Sequence, residues 1–176
     1  MMKKGMKMPR KSREEYYIGV AREIAQRSPC ARRKFGAVIV KDDTIVGTGY
    51  NGSARGTLNC GLDIPCLKNL SNEPHYTSYA NCSGVHAEDN AVSATGWHNC
   101  KDGIMYLAGL EPGSGAMPCF QCRRKILNAQ LVGVFYVDAD EKIKYVSKEE
   151  LRQLEIGWQN EKLKQFKPKD VEKMMQ

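Results

Sequence analysis

Residues 104–137, IMYLAGLEPGSGAMPCFQCRRKILNAQLVGVFYV, read as a strand, a helix and a second strand. The opening run, 104–110, is a buried strand by its unbroken apolar character. Residues 119–129 form a helix with Ile126 and Leu127 inward, and 131–137 are β-rich again. Such alternation predicts an α/β fold. Upstream, Ser12-Arg13-Glu14-Glu15 is a helix-capping pattern followed by Tyr17, Val20, Ala21 and Ile24 on one face, with a stop near Ser28 and Pro29. Runs 35–40 and 44–50 are strands joined by Asp42-Asp43, which reads as a hairpin turn. Residues 85–95 carry Ala87, Ala91, Val92 and Ala94, the face of a small-residue helix packed closely on a sheet, with His86 and Glu88 in its first turn. Near the other end, Ser147-Lys148-Glu149-Glu150 starts a last helix with Leu151, Leu154 and Trp158 on one stripe.

A chain of 176 residues suits one domain with a real core, here 12–160, flanked by basic arms at 1–11 and 161–176. Its 41% hydrophobic and 27% charged residues are those of an ordinary globular protein, which argues against disorder or fibre. No run of 18 apolar residues predicts a membrane span, and the basic start lacks the apolar core of an export signal, so a cytoplasmic setting is expected. Thiols there stay reduced, which turns the seven cysteines toward metal or redox chemistry. The formal net charge of +7 suits an anionic partner, although arms that only keep the chain soluble explain part of it. Residues 51–84 are rich in Gly, Asn, Pro, Ser and Cys without periodicity, and a loop of that length inside a domain is usually functional or pinned.

Two motifs carry the chemistry: His86-Ala87-Glu88 and Pro118-Cys119-Phe120-Gln121-Cys122. H-x-E together with P-C-x-x-C is the signature of zinc nucleobase deaminases. Cysteines three apart at a helix start present both sulfurs on one side, where the helix dipole favours their thiolates. An imidazole from a neighbouring helix completes three ligands, leaving the fourth tetrahedral position open, as a catalytic zinc requires. Zinc lowers the pKa of such a water from about 15.7 to roughly 7. Glu88, two residues past His86, is placed to shuttle protons without being a ligand. A thioredoxin-like redox pair gives His86 and Glu88 no role, and a purely structural zinc has no use for Glu88.

With these motifs the chain resembles the deoxycytidylate (dCMP) deaminase family, from about residue 28 to 137. The resemblance also rests on 35–40 (FGAVIV), 49–56 (GYNGSARG) and 86–91 (HAEDNA). It implies a cytidine-deaminase-like three-layer α/β/α sandwich on a five-stranded mixed sheet, and hydrolysis of dCMP to dUMP and ammonia, supplying dTTP synthesis. It implies that Asn51 contacts the sugar and that Gly52, Ser53 and Arg55 lie near phosphate, chemistry that bare amides and a guanidinium suit; read alone, Asn-Gly is also a plain turn. It further implies a homo-oligomer, often a hexamer, with dCTP and dTTP as effectors and Mg2+ beside the triphosphate. Some family members carry a second, structural zinc, for which Cys30, Cys60 and Cys82 fall at the expected places and Cys66 or His75 offers a fourth ligand. Buried free cysteine is the plain alternative, and Cys100 reads as structural.

The chain departs from the family at 111–117, where Pro, Gly, Ser and Gly precede the Pro-Cys pair. It also lacks, after Val137, a clear match for the aromatic that closes over the base, leaving Tyr145 or a C-terminal residue. Rival functions are deamination of dCTP, of cytidine or of a tRNA adenosine, and a non-catalytic zinc-stapled nucleic-acid-binding protein. Nucleic acid is not the expected partner, since the Lys-rich segments lie at the chain ends.

Overall fold

The structure, a computed structural model, describes residues 10–71, 81–167 and 174, so most of the two basic arms lies outside it. Helix α1 (Arg13–Ala25) starts where the sequence predicts: the Ser12 Oγ accepts the Glu15 N–H and the Glu15 carboxylate accepts the Ser12 N–H. Strands β1 (Phe35–Lys41) and β2 (Thr44–Tyr50) form the expected hairpin. Asp42 and Asp43 turn it with φ of 49° and 60°, the left-handed pair that matches strand twist.

A five-stranded mixed sheet in the order β2-β1-β5-β6-β7 is built from this hairpin, β5 (Ile104–Gly109), β6 (Gly133–Val137) and β7 (Ile143–Ser147). The β5–β6 pair is parallel, bridged by helix α5 (Phe120–Asn128), and the remaining pairs are antiparallel. Alternation along β1 and β5 divides the core. Val38, Val40, Tyr106 and Ala108 join Tyr17, Ile18 and Ala21 of α1 on one face. On the other, Ala37, Ile39, Met105 and Leu107 meet Ala87, Ala91 and Val92 of α3 (Ala87–Thr95) and Ile126 of α5. This is the expected three-layer sandwich.

Several boundaries moved. Residues 84–85 are strand β4 (Gly84–Val85), paired with β3 (Gly52–Ser53), so α3 begins at Ala87 with His86 as its N-cap. Cys119 likewise caps α5 from outside its first turn. Strand β7, short and bearing a lysine, was not singled out from the sequence. Helix α6 (Lys148–Leu163) has its capping box, but only Leu151 of the expected stripe is in the core; Leu154 and Trp158 are 43% and 36% exposed. Sixteen residues reach roughly 24 Å, farther than the sheet edge extends beneath them. Among the described residues no helix is long and apolar enough to cross a membrane.

Helix α3 lies against β2 at backbone contact. A Cβ at Gly49 would sit 2.3 Å from the Ala91 nitrogen and 2.4 Å from the Ala87 oxygen, and one at Gly47 would strike the Thr95 hydroxyl. Gly49→Ala is therefore expected to cost about 3 kcal/mol, because backbone on both sides must move. Gly19→Ala, in α1 with nothing within 4 Å of the added carbon, should instead stabilise by about 0.5–1 kcal/mol. Denaturant midpoints of the two variants check the pair; a Gly49→Ala midpoint equal to wild type would refute the backbone contact.

Candidate active site

His86 and Cys119 stand at the N-termini of α3 and α5, and Cys122 follows in the first turn of α5. The two helices aim their positive ends at one point, and their first residues bring three soft or borderline donors together. The His86 Nδ1 lies 3.5 Å from the Cys119 Sγ and 3.3 Å from the Cys122 Sγ. All three ligand atoms are within 4.8 Å of one another. A tetrahedral zinc with its ordinary Zn–N and Zn–S lengths needs an N···S separation of about 3.6 Å, so the donor set fits that ion.

The charges in this cluster depend on one another. The Cys119 thiol is pushed down, first by the hydrogen bond from Cys122 and then by His86, against the effect of burial. Cys122 is pushed up because it supplies that bond while buried beside Cys119 and Glu88. His86 is raised, foremost by its bond to Cys119. Glu88, 6% exposed, is raised foremost by burial. A dication binding here competes with protons for these donors.

Polar contacts hold the two helices in register. Lys125 of α5 pairs with Asp89 of α3. Phe120, between the two cysteines, stacks on Trp158 of α6 at 6.3 Å, and the Arg124 guanidinium lies 4.4 Å over the same indole. Arg124 is itself anchored at 2.6 Å by Glu155, a buried carboxylate. Exposed as it is on one side, Trp158 therefore braces the metal-bearing turn.

A cavity opens beside the cluster and includes His86, Glu88 and Cys119 in its wall. Phe35, Leu107, Ala116 and Met117 give it an apolar side suited to a flat ring. Arg32, Arg33 and Lys68 line it as well, three cations against the single carboxylate of Glu88. Lys68, on the short helix α2 (Leu67–Leu70), is 7% exposed. None of these cations was singled out in the sequence. The Arg32-Arg33-Lys34 triplet before β1 was a signal available there, whereas nothing local marks Lys68.

Asn51 lines the cavity, but its amide is already engaged. Its Oδ1 accepts from Ser28 Oγ and from the Phe35 N–H, and its Nδ2 donates to the Arg33 carbonyl at 2.8 Å. One N–H remains for a ligand. Gly52 and Ser53 do not line the cavity. They pair with Val85 and Gly84, the two residues that lead into His86, so they act on the site through its backbone. Arg55 is exposed on the turn beyond and is also absent from the lining. Tyr145 lies far from any role over a base: it packs on Phe135 in the sheet and donates to the Val132 carbonyl. Cys60 and Cys66 share a hydrogen bond, and Cys30 and Cys82 are near enough to act on Cys60 electrostatically. Among the described residues these four do not gather as closely as His86, Cys119 and Cys122. His75 lies outside the described residues, and Cys100 is fully buried in the core.

The sequence matches the model of the cytidine and deoxycytidylate deaminase zinc-binding region over residues 11–138. A deoxycytidylate deaminase of Mycobacterium phage D29 is 34% identical over 134 residues, which cover 73% of this chain and 97% of that one. The human deoxycytidylate deaminase is 32% identical over 72% of this chain and 68% of its own. Against the Schizosaccharomyces pombe enzyme of the same name, 30% identical, the match spans 72% of this chain but only 37% of that longer one. Among solved structures, the dCMP deaminase of cyanophage S-TIM5 in complex with dCMP and dUMP superposes with a TM-score of 0.54 at 26% identity, over 80% of this chain and 90% of that one.

Replacing either Cys119 or Cys122 by serine is expected to lower zinc retention by at least about tenfold, since one of three protein ligands is lost. Because the ligands must shed protons, retention by the unaltered chain should weaken as pH falls. Metal analysis after dialysis across a pH series reads both effects; zinc held equally by Cys119→Ser would remove that residue from the site.

Proposed function

Since the chain belongs to the cytidine and deoxycytidylate deaminase family, we infer that it hydrolyses the 4-amino group of dCMP, giving dUMP and ammonia. What carries this reading is a single cavity whose wall joins His86, Cys119 and Glu88, with Cys122 beside them, to Arg32, Arg33 and Lys68. The first set suits the amino-bearing ring and the second a phosphate.

His86, Cys119 and Cys122 would hold zinc, which supplies hydroxide from water at neutral pH when bound. Glu88 does the proton work. Its burial raises the carboxyl's affinity for a proton, so it can take one from the attacking water and hold it. It passes that proton to N3 of the ring as C4 is attacked, then takes the proton of the new C4 hydroxyl and delivers it to the amine as the C4–N bond breaks and the C4 carbonyl forms. Leu107, Ala116 and Met117 exclude water from the ring. Asn51 directs its remaining N–H to the sugar. Arg32, Arg33 and Lys68 take the 5′-phosphate, and Gly52 and Ser53 serve by fixing the strand before His86. Arg55, outside the lining, is the outer candidate for the same anion.

The nearness of Cys66, Cys30 and Cys82 to Cys60 supports a second, structural zinc held by Cys30, Cys60 and Cys82, with Cys66 or His75 as the fourth ligand. Exposed apolar residues along and beyond α6, Leu154, Ile156, Leu163 and Phe166, support a homo-oligomer. Regulation by dCTP and dTTP with Mg2+, a hexameric assembly, a place in dTTP synthesis and a cytoplasmic setting are carried from the family resemblance.

Incubating the zinc-loaded protein with dCMP, cytidine, dCTP and a tRNA anticodon stem, and measuring ammonia, tests the function. Product from dCMP foremost is expected, and turnover of dCTP or tRNA without dCMP would overturn it. Glu88→Gln should lower turnover by at least about a hundredfold with zinc content unchanged. Two zinc ions per chain would support the second site, and one would remove it.

A further inference from the structure

We propose that Glu111 is a positioning residue that holds Arg33 in the cavity wall by clamping the backbone of Lys34. The inference deepens the reading of the substrate as a nucleoside monophosphate and rests on it. Glu111 opens the 111–117 segment that intervenes between β5 and the Pro-Cys pair, and it does not itself line the cavity.

The β1–β5 ladder ends at Phe35 opposite Gly109. One step farther, the Leu110 N–H donates to the Lys34 carbonyl at 3.0 Å. Beyond that, the Glu111 carboxylate accepts the Lys34 N–H at 2.9 Å, a charge-assisted bond in place of the next rung. Lys34 is thereby gripped at both backbone groups. Asn51 grips its neighbours, accepting the Phe35 N–H and donating to the Arg33 carbonyl. The first residue of β1 and the two before it are thus fixed at the backbone.

The Arg33 side chain is oriented from the same segment. Its Nη1 donates to the Ser114 carbonyl at 3.3 Å, and the Ser114 N–H in turn donates to the Glu111 carbonyl. A neutral carbonyl uses one of the five guanidinium donors and leaves the positive charge available to an anion. Residues 115–117 continue into the cavity wall, with the Ala116 N–H donating to the Val137 carbonyl at 2.7 Å. Glu111 therefore ties one cationic contact of the substrate to the end of β1, at a distance from the metal cluster along the chain.

Comparing dCMP with deoxycytidine, which lacks the phosphate, isolates the effect. In Glu111→Ala the KM for dCMP should rise about tenfold with kcat within about twofold, while kcat/KM for deoxycytidine stays at the wild-type value. Glu111→Gln, whose amide oxygen still accepts the Lys34 N–H, should restore the KM. Glu111→Asp, one methylene too short, should behave as the alanine variant does and provides the test if the alanine variant folds poorly. Equal losses on both substrates, or an unchanged KM for dCMP in the alanine and aspartate variants, would overturn the clamp. A wild-type chain inactive on dCMP removes the functional reading and the clamp together; an active wild type with unaltered variants removes only the clamp.

Discussion

Backbone contact between α3 and β2 is the constraint on which the rest of the site depends. Glycine at 47 and 49 on the strand and alanine at 87 and 91 on the helix let the two approach until no side chain fits between them. The approach fixes where α3 begins, and hence where His86 and Glu88 stand relative to the sheet. Asn90 adds a bond to the Tyr50 carbonyl at 2.8 Å, tying the same helix to the strand's last residue. Immediately after Tyr50, Asn51 turns back to bind Ser28, Arg33 and Phe35. One packing contact thus sets the metal cluster, and the chain leaving it sets the opening of the cavity.

The cluster would be a poor arrangement for any purpose other than holding a cation. Glu88 and Cys122 are both buried, and the Cys119 thiol is pushed down between two helix ends. Buried groups of this kind are costly unless paired, and the Asp89–Lys125 pair outside them joins the two helices without neutralising the centre. A dication at the three donors answers that imbalance. Two cysteines and a histidine leave a fourth direction open, and the buried carboxyl of Glu88 shares the cavity with His86 and Cys119.

How much was legible beforehand follows from sequence separation. His86 with Glu88, and Cys119 with Cys122, are each local patterns whose meaning survives without coordinates, and both capping boxes were read from four residues apiece. The hairpin was equally local. The cavity wall was not, because Arg32, Arg33, Lys68 and Met117 meet only after folding brings three segments together. Gly52 and Ser53 were expected near phosphate, yet their part in the structure is a short pairing ahead of His86. Tyr145 was a candidate by residue type alone and belongs to the sheet. Leu154 and Trp158 kept the helical period of a core stripe, but period says nothing about how far a sheet extends beneath a helix. The 51–84 cysteines had residue types that suit a metal, without a short spacing that would order them.

The division between local and assembled features separates reaction from specificity. Hydrolytic removal of an amino group needs only the cluster and Glu88, which sit on two helix ends packed against the sheet. That chemistry is indifferent to what is attached at the far side of the ring. Discrimination must come from the walls, whose charged and outer parts are supplied by residues 28–34, Asn51, the short α2 helix and the 111–117 segment, all outside the main sheet and its packed helices. Segments of this kind can change without disturbing the contact of α3 with β2, provided something anchors them to the sheet edge. In this chain hydrogen bonds from Asn51 and Glu111 to the backbone of residues 33–35 provide that anchorage. The cationic wall is consequently held in place by two side chains, Asn51 and Glu111, that are not among the three metal-ligand candidates.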